Sequence, residues 1–467
     1  MKTIKYKYLQ EAAVLSLGCI LVAFFILWGV PDTGQRLFLF VFLGMGSLFG
    51  FMLWGLIRLE QGVPLFDIGF VLIGITFIYS VYPLLAFMLS GYEWGPLTDN
   101  RFRTIKPTPE VLGKFALHNL VYLFGLIAGY LALRFKKIPL RTVRLPINID
   151  KGTVYLFVII YGLSTLYFKL LGYFSGEVPY LILQINHNLA SIKFVCSVAL
   201  ICYAFSRWNN LWYRGAFFLY LFYRAYLMVS LSSGRTWFFL TLLASLMFYH
   251  RQVKELTLGK AVAGFIVVAT SFIIMGFYKV GLLHYVGKYS MWTASNEFTS
   301  LLGTAFDIYW RKEVLGSIGE IPFQLYFNDI ILLIPSQLLP FVKMDTSQWY
   351  LDVIGLRGTG VGMMFGVISQ GVIGGGMIEL LLRGIFLGGL AALLHNWYLK
   401  NSQSFLANVA YVFIAVRIYY TYRAGTGYIF YDILYQLLPT YLLVTLVRDF
   451  LWPKKKQRRM IGYSASY

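Results

Sequence analysis

About twelve apolar stretches, each close to the length of a membrane-spanning helix, constrain this chain more than any other feature. A helix needs about 20 mostly apolar residues to cross the hydrocarbon core of a bilayer. Hydrophobic residues make up 58% of the 467 residues and charged residues only 13%, which no soluble domain matches. We therefore predict an all-α polytopic membrane protein, with one integral membrane domain over residues 1–467. The predicted spans are Ala12–Val30, Leu37–Ile57, Ile68–Leu89, Phe115–Leu133, Thr153–Leu171, Ser191–Phe205, Gly215–Leu231, Thr236–Phe248, Ala261–Leu283, Met377–Tyr398, Phe405–Tyr420 and Tyr435–Leu451.

The basic residues orient these spans. With about twelve spans, the Lys and Arg clusters all fall on one side of the membrane, and cytoplasmic loops carry the excess of such residues. Both termini are then predicted to be cytoplasmic. The net charge of +20 follows from this topology, so we predict contacts with membrane lipids and no nucleic-acid partner. The clusters lie near the chain start, in residues 134–151, 207–214 and 251–260, and in residues 454–459.

A long loop between the ninth and tenth predicted spans, residues 284–376, lies outside the membrane in this topology. Loops of that length are uncommon without a function. Residues 306–310 and 330–339 are apolar enough to form short amphipathic helices in the membrane interface, with Pro335 breaking the second. An outer loop facing intramembrane arginines suggests chemistry on a lipid-linked, anionic substrate.

Arg235 is the first candidate for binding that anion. It ends the short turn Ser232-Ser233-Gly234-Arg235, where two predicted spans meet at the outer face. Backbone amides of a Gly/Ser turn and a guanidinium can hold a phosphate together. The alternative is an interfacial arginine that extends to lipid headgroups.

Four further arginines are candidates for the same role. Arg417 and Arg423 belong to the outer end of the eleventh predicted span, and Arg357 lies in a glycine-rich part of the long loop. Arg224 lies near the middle of the seventh span, where a cation is costly and faces a cavity or a partner. A structural pair with a buried acid is an equally good interpretation of Arg224.

Carboxylates and a histidine in or beside the long loop are candidate bases. Glu297 follows the ninth span and is positioned to take a proton from a sugar hydroxyl, although an acid favoured by a helix dipole is an equal alternative. His284 and Asp307 are the other candidates. The sequence contains no adjacent acidic pair, no HExxH, no Walker A motif and no Cys/His metal spacing, so we predict neither a metal nor a cofactor.

Short motifs in a fixed order give the chain a family resemblance. Ser233-Gly234-Arg235 opens a span and Asn296-Glu297-Phe298-Thr299 begins the long loop. The loop ends in Trp349-Tyr350 and two glycine-rich segments, residues 358–362 and 371–376. In this layout the chain resembles the Wzy-type oligosaccharide repeat-unit polymerases of O-antigen and capsule synthesis, which are related to the O-antigen ligases.

The resemblance implies a GT-C-type glycosyltransferase in the bacterial cytoplasmic (inner) membrane. It would polymerise repeat units linked to undecaprenyl pyrophosphate, as donor and acceptor, by metal-independent inverting transfer at the outer face. Arg235, with Arg417 and Arg423, would bind pyrophosphate, and Glu297 would be the base. The related ligases use a histidine in the large loop, for which His284 is the one available residue.

Two other functions remain open at this stage. A ligase would transfer finished glycan to another lipid, and a flippase or transporter would move the lipid-linked oligosaccharide across the membrane. Charges near the outer end favour chemistry, whereas Arg224 and Lys279 keep transport open. The resemblance also raises a chain-length regulator as a protein partner.

Overall fold

The computed structural model describes residues 33–59, 68–84, 108–134, 147–171, 180–230, 234–257, 297–344, 346–356 and 364–452, with isolated positions between 259 and 274. Regular structure in these ranges is helical, apart from one isolated bridge between Asn148 and Ser404. The helical class predicted from the sequence is therefore confirmed for the described part of the chain.

Seventeen α-helices are described, several of them extended by a π-helical turn. They are α1 (Thr33–Leu59), α2 (Ile68–Thr76), α3 (Pro109–Arg134), α4 (Lys151–Leu171), α5 (Tyr180–Ser206), α6 (Leu211–Ser230), α7 (Gly234–Phe248), α8 (Glu297–Tyr309), α9 (Phe323–Tyr326), α10 (Asn328–Ile331), α11 (Thr346–Val353), α12 (Val367–Ile373), α13 (Met377–Lys400), α14 (Phe405–Arg417), α15 (Tyr419–Ala424), α16 (Gly427–Asp432) and α17 (Leu438–Leu451). The π-helical turns are Phe77–Val81, Tyr249–Val253, Trp310–Val314 and Ile433–Leu437.

Five helical segments among the described residues are long and apolar enough to cross a membrane. This supports the membrane character of the chain, while the count of about twelve spans and the GT-C architecture stay predictions. The first predicted span and most of the ninth lie outside the described residues. The five segments are Pro109–Arg134, Lys151–Phe168, Met377–Lys400, Phe405–Ala424 and Gly427–Leu451.

Helices α3 and α13 pack together through facing glycines. Gly125 and Gly129 of α3 lie against the backbone of α13, and Gly384 and Gly388 of α13 lie against the backbone of α3. A β-carbon at any of the four positions would collide with a carbonyl oxygen or its neighbours on the opposite helix. Small residues at a fixed spacing of four let membrane helices approach closely, so these glycines set the distance between α3 and α13.

Helix α14 lies at the centre of the molecule. In the apolar stretch of Phe405–Ala424, 94% of the residues are buried inside the protein. The corresponding share for Lys151–Phe168 on α4 is 33%, so α4 lies at the periphery. Midway along α14, the Tyr411 hydroxyl accepts from the backbone N of Ile68 at 2.7 Å and lies 2.6 Å from Nδ1 of His395. These contacts hold α2 and α13 against the central helix.

Segments predicted to be cytoplasmic meet around the turn between α13 and α14. The backbone N of Asn148 donates to the carbonyl of Gln403 at 2.8 Å, which joins the segment before α4 to the turn between α13 and α14. Gly152, at the start of α4, lies against the Trp452 ring after α17. The clustering agrees with the predicted topology, and we call this the predicted cytoplasmic end.

One prediction about the long loop is wrong. Residues 306–310 do not form an interfacial helix, because Phe306 and Ile308 of α8 are both 0% exposed. The Phe306 ring lies 5.3 Å from that of Phe115 on α3, so α8 packs into the helical core. In the second predicted segment, α10 is short, and Ile330 is largely exposed.

Candidate functional site at the predicted outer end

Arg423 approaches the beginning of α7, the segment that carries Arg235. Nη1 of Arg423 donates to Oγ1 of Thr236 at 2.8 Å and to the Tyr419 hydroxyl at 2.9 Å. Arg235 is the second residue of α7 and directly precedes Thr236, although its side chain lies outside the described atoms. The structure thus brings two arginine-bearing segments, predicted separately as anion-binding, to one place.

Tyrosines form the wall beside this place. The Tyr422 ring stacks on that of Tyr79 with 5.7 Å between centroids, and the Tyr422 hydroxyl is hydrogen-bonded to Oγ1 of Thr76. Tyr79 also lies 5.6 Å from Tyr419. Because the Tyr419 hydroxyl accepts a hydrogen bond from Arg423, this tyrosine wall holds the Arg423 guanidinium in place. Aromatic walls with polar tips are typical of sites that meet both lipid and a polar group.

Arg417 is held in a buried ion pair. Its Nε and Nη2 donate to the two carboxylate oxygens of Asp432, each at 2.5 Å, and the two side chains are 5% and 1% exposed. The guanidinium also lies 3.9 Å from the Tyr420 ring centroid. A bidentate pair of this kind joins the end of α14 to α16, so the geometry gives Arg417 a structural contact at the site.

A charge network not predicted from the sequence attaches the long loop to the helices. Arg383 of α13 forms a salt bridge with Asp329 of the loop, and its Nε donates to Glu379 at 2.7 Å. Nη1 of Arg383 also donates to Oγ1 of Thr426 at 2.8 Å. Glu379 stands one helical turn before Arg383, which is the spacing of an ion pair on one helix face. The sequence-based prediction treated this stretch only as an apolar span and did not include the pair.

Asp329 is the second centre of that network. Its Oδ1 accepts from the backbone N of Gly427 at 2.6 Å and from the Gln370 amide at 3.2 Å. Gln370 in turn accepts from the backbone N of Thr426 at 3.1 Å. The loop, α12, α13 and the α15–α16 turn are therefore joined by one set of hydrogen bonds.

Asp307, one of the candidate bases, is occupied by neighbours. It is 0% exposed, and its Oδ2 accepts from Nε of Arg311 at 2.8 Å and from the Tyr350 hydroxyl. Burial and the adjacent Asp307 carboxylate raise the pKa of Tyr350 well above its usual value, so Tyr350 stays a donor. This arrangement ties α8 to α11 and gives Asp307 a role in folding the loop.

Lys312 closes the nearby end of α12. Its Nζ donates to the carbonyls of Val372, Ile373 and Gly374 at 2.8, 3.1 and 3.2 Å. A cation at a helix C-terminus satisfies carbonyls that have no partner within the helix. Helix α8 therefore contacts α11 through Asp307, and the π-helical turn after α8 contacts α12 through Lys312.

Arg224 lies in a separate cluster on α6, the helix that carries the seventh predicted span. Its Nε donates to the Tyr220 hydroxyl at 2.7 Å and its Nη2 to Oγ of Ser197 at 3.4 Å. On α5, Lys193 Nζ lies 5.2 Å from the Tyr161 ring centroid. Among the described residues, neither cation has a carboxylate within ion-pair distance.

The remaining candidates are placed only in part. Glu297 is the first residue of α8, but its side chain is not among the described atoms. His284 and Arg357 lie wholly outside the described residues. No group of three or more His, Cys, Asp or Glu side chains in the described ranges is arranged to hold a metal ion. The predicted metal-free chemistry stays a prediction.

Comparisons with known proteins add no relative. No family model, no curated protein and no solved structure matches the chain. The family resemblance therefore depends on the order of the motifs in the sequence.

Proposed function

We propose that this protein is a membrane glycosyltransferase that polymerises oligosaccharide repeat units linked to undecaprenyl pyrophosphate at the outer face of the bacterial cytoplasmic membrane. The observation that carries the proposal is the contact of Arg423 with Thr236, directly after Arg235. Two arginine-bearing segments at one place suit a diphosphate, because guanidinium groups bind its paired oxygens and several negative charges.

The helix that begins at Glu297 lies close to this place. Helix α8 packs against the π-helical turn Phe77–Val81. Tyr79 of that turn stacks on Tyr422, the neighbour of Arg423. A base on α8 and a diphosphate beside Arg423 would thus share one wall. Glu297 would take the proton of the acceptor hydroxyl while the arginines stabilise the leaving diphosphate.

Attachment of the long loop favours chemistry over transport. The Arg383–Asp329 pair and the bond from Gly427 to Asp329 attach the described part of the loop to helices at the predicted outer end. A covered site excludes water from a glycosyl intermediate that water would hydrolyse. O-antigen ligase-like transfer to another lipid uses the same arrangement, and the acceptor alone separates the two reactions.

A flippase for the same lipid-linked glycan is the second candidate. Arg224 and Lys193 support it, because two cations within the membrane region without a described carboxylate partner suit the passage of an anionic group. In that case Arg224→Gln would abolish movement of substrate across vesicles, and no polymer would form in any preparation.

The test is polymer formation in nanodiscs containing the lipid-linked repeat unit, with EDTA present. A product ladder on a gel is expected for the wild-type protein, with at least about a hundredfold less product for Arg235→Ala, Arg423→Ala and Glu297→Gln. Lys114→Ala is the matched control, because Lys114 forms only an exposed pair with Glu110. A full ladder from Arg235→Ala and Arg423→Ala would refute the diphosphate site. If Arg235→Ala and Arg423→Ala lost the ladder and Glu297→Gln kept it, the base would be His284 or another group instead of Glu297.

A further inference from the structure

A polar cleft opens at the predicted cytoplasmic end, and none of the arginines proposed to bind diphosphate belongs to its lining. Its volume is about 670 Å³, and it lies between the start of α4, the α5–α6 turn and the π-helical turn after α7. Most side chains in its lining are polar. They include Lys151, Tyr203, Arg207, Asn209, Asn210 and Tyr213.

The charge of the cleft is positive. Lys151 and Arg207 supply two cations, and no acidic residue belongs to the lining. Both cations are exposed, and neither forms an ion pair with another described residue. The nearest acid in sequence, Asp150, accepts from the backbone N and hydroxyl of Thr153 and so caps α4. Its carboxylate is therefore directed to the helix terminus.

The walls of the cleft are held in place before any ligand binds. The Trp208 ring stacks on Phe205 with 4.6 Å between centroids, and the Arg214 guanidinium lies 5.5 Å from the Trp208 ring. Asn210 Oδ1 accepts from the backbone N of Trp212 at 2.9 Å and caps α6. The short α5–α6 turn thus presents Arg207 and the two asparagines from a fixed backbone.

Apolar surface continues from the cleft along the membrane. On α6, Trp212 is 87% and Leu219 72% exposed, and on α4, Tyr155 is 58% exposed. A ligand with both a phosphate and acyl chains matches this combination. Basic pockets between helices at the cytoplasmic side are the usual binding sites for anionic lipid headgroups.

We propose that this cleft binds the phosphate of an anionic phospholipid, with the headgroup on Lys151 and Arg207 and the acyl chains along α4 and α6. The site is distinct from the outer arginines and does not depend on the glycosyltransferase proposal. A soluble phosphate compound shares the headgroup chemistry and is separated from the lipid by experiment.

The test is native mass spectrometry of the full chain, titrated in detergent with phosphatidylglycerol and, separately, with phosphatidylcholine. The wild-type protein is expected to retain phosphatidylglycerol preferentially. Lys151→Gln/Arg207→Gln should bind it roughly thirtyfold more weakly, since each of the two basic groups contributes about 1 kcal/mol near a lipid surface. Lys254→Gln/Lys400→Gln removes two charges from the same end outside the cleft and should bind like the wild type. The swap Lys151→Arg/Arg207→Lys keeps both charges and should retain binding.

Two outcomes would overturn the proposal. Equal weakening in the two neutral double variants would show general attraction to the basic face rather than a site. Displacement of phosphatidylglycerol by millimolar glycerol 3-phosphate or inorganic phosphate would assign the cleft to a soluble ligand. Polymer formation is not the readout, so failure here leaves the proposed enzyme activity untouched.

Discussion

Nη1 of Arg423 lies 2.8 Å from Oγ1 of Thr236, and this hydrogen bond joins segments 187 residues apart. Arg423 also contacts Tyr419 within its own helix, so the guanidinium is fixed from two directions. The residue before Thr236 is Arg235, whose backbone position is set by the same turn of α7. Thr236 is therefore a positioning residue for Arg423, and its replacement tests the arrangement without removing a cation.

Thr236→Val keeps the shape of the side chain but removes the acceptor for Arg423. Polymer formation should fall roughly tenfold to a hundredfold, because a hydrogen bond to a charged group contributes about 1.5–3 kcal/mol. Thr236→Ser retains the hydroxyl and should restore most of the product ladder. An unchanged ladder for Thr236→Val, in protein of normal thermal stability, would contradict this role.

Arg383→Met should destabilise the protein severely. The substitution leaves Asp329 and Glu379 without their common partner. Because the Arg383 and Asp329 side chains are 13% and 25% exposed, the cost should lie between that of an exposed pair and the roughly 3–5 kcal/mol of a fully buried one. The measurement is the apparent unfolding temperature in one detergent, together with the yield of folded protein. Lys114→Met is the control, since the exposed pair with Glu110 contributes at most about 1 kcal/mol. Similar losses for the two variants would exclude a special role for the Arg383 network.

Gly388→Ala should separate α3 from α13. The added methyl group meets the carbonyl oxygen of Leu126, and overpacking of this kind costs about 1–3 kcal/mol. Gly162→Ala on α4 places the same methyl group where no atom lies within 4 Å, so it should leave the unfolding temperature unchanged or slightly raised. Equal unfolding temperatures for the two variants would show that α3 and α13 are not in close contact.

Tyr350→Phe should lower stability by about 1.5–3 kcal/mol, because Asp307 then loses a hydrogen-bond donor. Burial and Asp307 raise the pKa of Tyr350. The contribution of its hydroxyl is therefore complete below the unfolded-state value of about 10 and is lost as the pH rises through the folded-state value. Unfolding temperatures of both proteins from pH 7 to 11 should show a constant gap up to about pH 10 that narrows above it. A gap that narrows at pH 8 would contradict the raised pKa.

The long apolar helices could be predicted from the sequence because hydrophobic length is a local property. The predicted span Met377–Tyr398 corresponds to helix α13, which runs Met377–Lys400. The predicted span Phe405–Tyr420 is divided in the structure between two helices, α14 and α15. That a helix exists in each of these stretches could be predicted from their apolar composition alone. The breaks at the outer end did not, since they depend on contacts such as that of Arg417 with Asp432.

Segment 306–310 shows what apolar composition cannot decide. Lipid and protein interior are equally apolar, so the run around Phe306 suited either surroundings. Asp307 and, four residues later, Arg311 form a polar pair on one helix face, but an interfacial amphipathic helix carries such a face too, so the pair does not decide between the two. The partner Tyr350 is 43 residues away, and no local pattern points to it.

The long-range part of the Arg383 network, its contact with Asp329, was beyond prediction for the same reason. Its members Asp329 and Arg383 are 54 residues apart, and the sequence offers many acids in the long loop with no rule for choosing one. The outer-end arginines were easier, because each stands out in an apolar stretch. Their mutual placement still required the packing of α7 against α14 and α15.

The order of these charges along the chain has a consequence for biosynthesis. A ribosome makes Asp329 before Glu379, and Glu379 one helical turn before Arg383. A lone arginine in a span opposes membrane insertion by a few kcal/mol. When α13 enters the translocon, Arg383 already has the carboxylate of Glu379 on its own helix. In the predicted topology the second carboxylate, that of Asp329, has already crossed to the outer side of the membrane. Vectorial synthesis thus supplies each counterion before the charge that needs it.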